Sequence, residues 1–431
     1  MERQSGHNAK RQRLVTVLDV GTSKVCCMIA KAVPAPHYMA AAGQPVHLRV
    51  IGFGHQRSQG IKSGMIVHMD AAEQAIRAAV DQAERMAGMM IEDVILSISC
   101  GRLKSDAFSA SVAIATGEVR KRDVDKVLNA GRDYAGRDGR MVLHTMATGY
   151  RLDDDNLITD PNGMIADRLS VDVHAVAADE SPIRNLILCV ERCHLSVADL
   201  VAAPYAAGLS AVSEEEAKIG VTCIDMGAGT TSFSIFADGQ FAYCDVIALG
   251  GSHITLDLAR SLSMPLDEAE RIKTLHGCAF AAASDDGEII SFPVVGEHES
   301  PQFNQASKAQ IAQLVQARIE EILQLIRERQ ENAGLGDMAG QHIVLTGGAS
   351  QLAGLCDYTA KVFSKAVRLG RPRHLAGLPE HGVGPAFTTA GGLLEYVQRV
   401  PVEARPHSQT QFLGTGTGYF TRVSQWIRES F

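Results

Sequence analysis

The sequence lacks the features that mark a secreted, membrane-spanning or nucleic-acid-binding protein. Its nine cysteines are scattered over 431 residues with no C-x-x-C pair, which favours reduced thiols over disulfides or a metal centre. No apolar run approaches the ~20 residues that a membrane-spanning helix needs. The 41 basic and 49 acidic residues give a net charge of −8, which argues against broad nucleic-acid binding. With 46% hydrophobic residues, the composition is that of an ordinary soluble core.

The first 13 residues are polar and basic, and they show no signal-peptide pattern. Because they have few apolar side chains to bury, they are predicted to form a disordered arm with no assigned role.

Two short segments, about half a chain apart, repeat one pattern. Residues 17–24 have the sequence VLDVGTSK, and residues 223–230 have the sequence CIDMGAGT. Each segment is an apolar run followed by Asp-x-Gly and small residues, which predicts a buried strand that turns sharply into a second strand. The duplication indicates two similar domains that face each other across a phosphate.

The residues of these turns suit a nucleotide. Glycine lets backbone amides approach phosphate oxygens, and Lys24 adds a positive charge. Because like charges repel, Asp19 and Asp225 are predicted to hold Mg²⁺ or its waters rather than phosphate. The alternative is a pair of ordinary hairpins, since Asp-Gly marks many turns. The predicted phosphate-binding residues are Gly21, Thr22, Ser23 and Lys24 in the first turn, and Gly227, Ala228, Gly229, Thr230 and Thr231 in the second.

The remaining pattern alternates strands and helices. Asp70 is expected to cap the first helix, and a compact α+β insert is predicted at residues 93–178. Helices are predicted at residues 71–86, 122–134, 181–193, 204–212, 253–262, 265–275, 310–330 and 386–396. Strands are predicted at residues 14–31, 46–54, 94–99, 109–115, 141–146, 169–176, 197–202, 288–294 and 342–345.

A third motif occurs later in the sequence, after the two turns. The apolar strand at 342–345 runs into Thr-Gly-Gly-Ala-Ser at residues 346–350. Together the three motifs resemble the actin, Hsp70 and sugar-kinase superfamily. The resemblance implies that Gly347, Gly348 and Ala349 lie beneath the adenine and ribose of ATP. It also implies that the E-x-x-K pair Glu270 and Lys273 lies against the nucleoside. The alternative is an exposed charge pair, because such pairs are common on helix surfaces.

From about residue 14 onward, the sequence more closely resembles the FtsA family of bacterial cell-division proteins. The segments that carry this resemblance are residues 20–25, 60–64, 79–84, 191–193, 224–231, 343–349 and the tail. It implies an α/β, actin-like (ribonuclease H-like) fold of duplicated domains with an inserted α+β subdomain, and ATP and Mg²⁺ as cofactors. The implied subdomains are 1A (14–92 and 179–212), 1C (93–178), 2A (213–251 and 336–400) and 2B (252–335).

The last 14 residues are predicted to form an amphipathic helix that lies in a membrane interface. Residues 401–417 contain prolines and glycines with few apolar residues, and they are predicted to be a flexible tether. A helix docked on the body of the protein is the alternative. The predicted membrane-facing side chains are Tyr419, Phe420, Val423, Trp426, Ile427 and Phe431.

The resemblance implies a scaffold on the cytoplasmic side of the inner membrane at the division site. Its expected partners are the C-terminal peptide of the tubulin-like FtsZ, further copies of itself, membrane lipid and later division proteins. Arg318 lies in a segment that resembles the partner-binding helix of the family, and an ordinary exposed helix arginine is the alternative. The insert replaces a subdomain that positions the attacking water in actin relatives, so the resemblance implies slow ATP hydrolysis at most.

Other functions in the superfamily remain open. A sugar kinase needs a carboxylate base beside the acceptor hydroxyl, and no candidate stands out beyond Asp19 and Asp225. An Hsp70 chaperone needs a large peptide-binding domain, and only 40 residues follow Gly391. The insert and the C-terminal position of the amphipathic helix disfavour a shape-determining filament of the MreB type.

Overall fold

The computed structural model describes residues 14–34, 46–136, 139–153, 158–281, 283–296, 302–336 and 338–399. The chain starts with β1 (Leu14–Val20), β2 (Lys24–Pro34), β3 (Val46–Arg57), β4 (Ile61–Lys62), β5 (Met65–Ile66), α1 (Met69–Ala87) and β6 (Asp93–Ile98). The inserted segment follows with β7 (Lys104–Ala113), α2 (Lys121–Ala135), β8 (Arg140–Leu152) and β9 (Arg168–Asp179).

The chain then continues through α3 (Glu180–Arg192), β10 (Ser196–Ala202), α4 (Ala203–Ala211) and α5 (Glu214–Ile219). The second half comprises β11 (Val221–Met226), β12 (Thr231–Ala237), β13 (Gln240–Ile247), α6 (Gly251–Leu262), α7 (Leu266–His276), β14 (Ile289–Pro293), β15 (Phe303–Ser307), α8 (Lys308–Asn332), β16 (His342–Thr346), α9 (Leu355–Phe363), β17 (Ala366–Leu369) and α10 (Thr388–Arg399).

Both halves are built on one three-strand unit. In the first half, β1 pairs antiparallel with β2 and parallel with β6, within the sheet β10-β6-β1-β2-β3. In the second half, β11 pairs in the same way with β12 and β16. The register also repeats, because Asp19 faces Cys26 just as Asp225 faces Ser232. The predicted duplication of domains is confirmed.

Helix α1 packs its small apolar face on β2 and β3. A Cβ atom on Gly54 would overlap the carbonyl oxygen of Ala79, so helix and strand are in close contact. The apolar residues that recur at helical spacing are buried, as the sequence pattern predicts: Ala72, Ala75, Ile76, Ala79, Val80 and Ala83. The predicted cap is wrong. His68, whose Nδ1 accepts a hydrogen bond of 3.2 Å from the Ala71 amide, is the N-cap. Asp70 instead lies within the first turn, where its charge favours the positive end of the helix.

The insert begins later than residue 93. Strand β6 pairs with β1 and β10 in the first sheet, so it belongs to the first half. The insert proper is the antiparallel sheet β7-β9-β8 with α2 against it, around a core of its own. The backbone pairing that joins this sheet to β13 of the second half is Lys104 with Asp245, and side-chain hydrogen bonds link Ser105 to Cys244 and His174 to Phe241.

Helices α6, α7 and α8 enclose a second core with the short hairpin β14–β15. The long helix α8 buries one apolar face, as its spacing predicts. Strand β15 was not predicted, because Phe303–Ser307 has a polar sequence with little strand character.

Helix α10 packs with the first half, although residues 336–400 were assigned to subdomain 2A. Leu393, Leu394 and Tyr396 are buried in the core of the first half. A Cβ atom on Gly392 would overlap the carbonyl oxygen of Ala206 on α4, so the two helices lie backbone to backbone. The chain therefore returns to the first half before residue 400.

The N-terminal arm (1–13), the linker (401–417) and the amphipathic helix (418–431) lie outside the described residues. Among the helices that are described, none combines the length and apolar character needed to cross a membrane.

Candidate functional site

The two Asp-x-Gly turns have the same internal geometry. The amide of Gly21 donates a hydrogen bond of 2.9 Å to the carbonyl of Lys24, and the amide of Gly227 donates one of 2.9 Å to the carbonyl of Thr230. Each turn therefore closes over two tip residues, which are among the residues predicted to meet phosphate.

The tips of the turns meet. A Cβ atom on Gly229 would lie 2.7 Å from Cγ2 of Thr22 and would overlap its Oγ1. The Thr22 hydroxyl also accepts a hydrogen bond of 3.2 Å from the amide of Gly64. There is thus no space for a side chain at position 229, and the structure brings the two predicted phosphate turns into direct contact.

Two carboxylates lie behind the turns. Ser97 donates a hydrogen bond of 2.7 Å to Oδ1 of Asp19, and Thr389 donates one of 2.9 Å to Oδ2 of Asp225. Burial raises the pKa of Asp225 to about 6, and the negative charge of Asp19 adds to this effect. A cation near this pair would favour the ionised form of Asp225 against both its burial and the repulsion from Asp19, as expected for Mg²⁺ or its waters.

The described part of the chain contains no cluster of three or more His, Cys, Asp or Glu side chains that could hold a metal ion. The carboxylates of Asp19 and Asp225 are oxygen donors of the kind that Mg²⁺ prefers, so these two residues would hold the ion if it binds here together with further oxygen ligands.

Lys24 contacts the segment before α10. Its Nζ donates a hydrogen bond to the carbonyl of Ala386 and lies 3.7 Å from the centroid of the Phe387 ring. The ammonium group is therefore held beside the first turn by a backbone oxygen and an aromatic face, both of which attract cations.

The start of α6 supports the second turn from behind. The amide of Gly251 donates a hydrogen bond of 2.9 Å to the carbonyl of Gly227, and that of Ser252 donates one of 2.8 Å to the carbonyl of Ala228. A Cβ atom on Gly251 would lie 3.1 Å from Cβ of Ala349, so α6 also reaches the Gly-Gly-Ala turn.

Glu270 and Lys273 do not form an ordinary surface pair. The Lys273 ammonium donates hydrogen bonds to Glu270 at 2.6 Å, to Thr255 at 2.9 Å and to the carbonyl of Gly251 at 3.1 Å. Only 15% of the Lys273 side chain is exposed. The pair therefore fixes α7 against the start of α6, beside Ala349.

Gly347 lies directly against Asp225. Its φ of +89° is in the region that favours glycine, and a Cβ atom there would overlap Oδ1 of Asp225. Its amide donates a hydrogen bond of 3.2 Å to the carbonyl of Pro385.

Sequence reasoning missed the segment 385–389. Through Pro385, Ala386 and Thr389 this segment contacts Gly347, Lys24 and Asp225, which belong to all three predicted motifs. The only signal was the run of small residues at the predicted helix. Ser97 was also missed, because its strand becomes a neighbour of Asp19 only in the folded sheet.

Arg318 is not part of the site formed by the two turns and lies on α8. Its guanidinium donates two hydrogen bonds to Asp257 on α6, at 2.6 and 3.0 Å, and a third to Glu321. Its side chain is only 23% exposed, so it is not a free surface arginine.

Solved structures share this architecture. A PilM–PilN type IV pilus biogenesis complex matches with a TM-score of 0.61 at 16% identity, over 88% of this chain and 97% of the matched chain. MreB5 of Spiroplasma citri bound to ADP matches with a TM-score of 0.53 at 14% identity, over 89% of this chain and 96% of the matched chain. The duplicated halves and their facing turns, together with these matches, define an actin-like fold with an inserted α+β subdomain.

Sequence comparisons identify the family within this class. The family model described as "Cell division protein FtsA" matches residues 222–392, and that described as "SHS2 domain inserted in FTSA" matches residues 100–177. The cell division protein FtsA of Agrobacterium fabrum is 45% identical over 426 residues, covering 98% of this chain and 96% of the relative. This chain belongs to the FtsA family of cell division proteins.

Proposed function

We propose that the chain binds ATP with Mg²⁺ between the two Asp-x-Gly turns. The observation that carries this proposal is the contact between Thr22 and Gly229, which places two phosphate-type turns at one point. Asp19 and Asp225 would hold the metal or its waters. The phosphates would lie against the tips of the turns, and Lys24 would reach them by leaving Ala386.

The nucleoside would lie against the Gly-Gly-Ala turn at 347–349, on the side where Glu270 and Lys273 join α6. Hydrolysis would be slow at most, because the fold carries the inserted subdomain where actin relatives position the attacking water. Phosphate release from the purified protein tests this part of the proposal, and a turnover of several per second would refute it.

We further propose that the protein is a membrane-attached scaffold that holds FtsZ at the division site, self-associates and recruits later division proteins. Membership of the FtsA family supports this role. The aromatic, amphipathic sequence at 418–431 supports attachment to the inner membrane from its cytoplasmic side. Because one short helix binds a bilayer weakly, a polymer presenting many tails would bind through avidity.

Deleting residues 418–431 tests the membrane attachment. We expect the full chain to co-sediment with liposomes in the presence of ATP and the shortened chain to remain in the supernatant. Equal sedimentation of both proteins would contradict the proposed tether.

Capture on an immobilised FtsZ C-terminal peptide tests the proposed partner. We expect the wild-type chain to bind and Arg318→Glu to lose most of the binding, because the charge that would meet an acidic peptide is reversed. Arg327→Glu, a charge reversal at an exposed position on the same helix, is the matched control. If the wild-type chain does not bind, this partner assignment fails.

A further inference from the structure

A pocket of about 130 Å³ lies where the first and second halves of the chain join. Its wall has an apolar part, formed by Leu209, Val212 and Phe236, and a charged part in which one acid, Glu214, stands beside three bases, Lys218, Arg373 and Arg399. None of the residues assigned to the nucleotide lines it. It is therefore a separate feature with an amphipathic lining.

The positive charge in this pocket is incompletely neutralised. Arg399 forms ion pairs with Glu395 at 2.9 Å and with Glu214 at 3.8 Å. Arg373 donates one hydrogen bond, to the carbonyl of Val212, and forms no ion pair with a carboxylate of the described residues. Lys218, exposed on α5, also has no ion-pair partner in the described part of the chain.

The surroundings of Arg373 leave a place for a further anion. Burial lowers the pKa of Arg373 and the positive charge of Arg399 lowers it further, while the negative charges of Glu395, Glu214 and Glu216 act in the opposite direction. A guanidinium uses one of its five N–H groups on Val212, so donors remain for a planar or tetrahedral oxyanion. A phosphate group is small enough for a pocket of about 130 Å³, and its oxygens accept bidentate hydrogen bonds from a guanidinium.

The position of the pocket indicates where such a phosphate would come from. Arg399 is the last residue that the structure describes, at the end of α10. The sequence continues for 32 residues, and the last 14 of these are the predicted membrane-binding helix. The pocket thus lies next to the start of the proposed tether. The tether alone supplies only one of the two signals that stable membrane attachment needs.

We propose that the pocket formed by Lys218, Arg373 and Arg399 binds the phosphate of an anionic phospholipid headgroup, as a second membrane contact. This inference rests on the membrane attachment proposed above. The lipid's acyl chains would extend away from the pocket, and its apolar wall of Leu209, Val212 and Phe236 would accommodate the glycerol backbone. Free phosphate has the same recognition chemistry, so the test separates the two sources.

The test compares the full-length chain with Arg373→Gln, Lys218→Gln and the control Arg371→Gln. Arg371 is exposed, lies two residues from Arg373 and does not line the pocket. Each protein is co-sedimented with vesicles of phosphatidylcholine alone and with vesicles that also contain phosphatidylglycerol. We expect each pocket variant to lose about fivefold in affinity for the anionic vesicles and to bind neutral vesicles unchanged.

If Arg371→Gln loses as much affinity for the anionic vesicles as the pocket variants do, the attraction depends on the overall surface charge. That result would overturn the pocket as a lipid-binding site. A loss of inorganic phosphate binding in Arg373→Gln, without any change on vesicles, would overturn the lipid assignment in favour of a free anion. Arg373 also donates a hydrogen bond to the carbonyl of Val212, so Arg373→Gln could fail to fold. In that case Lys218→Gln, at an exposed position, decides the outcome.

Deletion of residues 418–431 keeps the two proposals apart. If deletion leaves vesicle binding unchanged, the proposed tether fails. If deletion abolishes binding while the pocket variants match wild type on anionic vesicles, only the present inference fails.

Discussion

The main chain of Gly229 lies directly against the side chain of Thr22, so the tips of the two Asp-x-Gly turns are in contact. These residues belong to the two duplicated halves of the chain. Any side chain at position 229 must therefore push the halves apart at the point where phosphate is proposed to bind.

Gly229→Ala is expected to weaken ATP binding at least about tenfold, because the new methyl group overlaps Thr22 and displaces one turn. Equilibrium titration with ATP and Mg²⁺ measures the loss, and circular dichroism checks the fold. The double variant Thr22→Ala/Gly229→Ala removes the overlapping atoms and is expected to recover part of the affinity. Equal affinity of Gly229→Ala and wild type would show that the contact has no role in binding.

Asp225→Asn is expected to stabilise the nucleotide-free protein and to weaken its binding of Mg²⁺ and ATP. The folded protein raises the pKa of Asp225 from its ordinary 3.8 to about 6, so the folded state binds this proton more tightly than the unfolded state. Stability therefore falls as pH rises from about 4 to 6, and above that range the ionised carboxylate remains unfavourable.

Removing the charge of Asp225 should raise the free energy of unfolding at pH 7.5 by about 1–3 kcal/mol. Urea unfolding measures this change, and Asp238→Asn, at an exposed turn, is the control. A destabilised Asp225→Asn would contradict the electrostatic interpretation of this site.

Two buried histidines predict a loss of stability in acid. His144 accepts a hydrogen bond of 2.9 Å from the amide of Ala202, and His174 contacts the carbonyl of Phe241 at 3.1 Å and Ser105 at 2.9 Å. Burial lowers the pKa of His144 to about 3 and that of His174 to about 4. The unfolded state therefore binds more protons from about pH 6.5 downward, and stability falls with pH through that range.

Each of these histidines should favour unfolding by about tenfold per pH unit below 6.5. Urea unfolding between pH 7.5 and 5.5 gives the slope. His144→Gln should reduce the slope by about one proton, whereas His342→Gln, at the exposed start of β16, should leave it unchanged. An unaltered slope in His144→Gln would refute the assignment of this proton.

The ion pair between Arg318 and Asp257 complicates any test of partner binding, and a second variant resolves it. Asp257→Asn breaks the bidentate pair but leaves the arginine charge in place. If the charge of Arg318 itself attracts the FtsZ peptide, Asp257→Asn should bind the peptide at least as well as wild type. Loss of binding in both Asp257→Asn and Arg318→Glu would instead indicate that the packing of α8 on α6 is what matters.

Local patterns in the sequence predicted the elements that depend on neighbouring residues. The two turns, the apolar face of α1 and the long helix α8 were predicted correctly, because glycine position and helical periodicity are encoded within a few residues. The Asp70 cap was wrong because a histidine side chain two residues earlier takes that role.

Features that depend on distant strands and helices could not be predicted in this way. Strand β6 belongs to the first sheet because it pairs with β10, which follows it by about a hundred residues. Helix α10 belongs to the first half because Gly392 allows it to approach α4. Thr389 reaches Asp225 from 164 positions away in the sequence, and no local pattern marks it as part of the site.

Titration calorimetry of the wild-type chain with ATP, in Mg²⁺ and again in EDTA, tests whether the two Asp-x-Gly turns form a nucleotide site. We predict that one ATP binds per chain, with an affinity that falls markedly when Mg²⁺ is removed. Saturable binding that is independent of Mg²⁺, or no binding at all, would contradict the assignment of the cleft between the two turns as a nucleotide site.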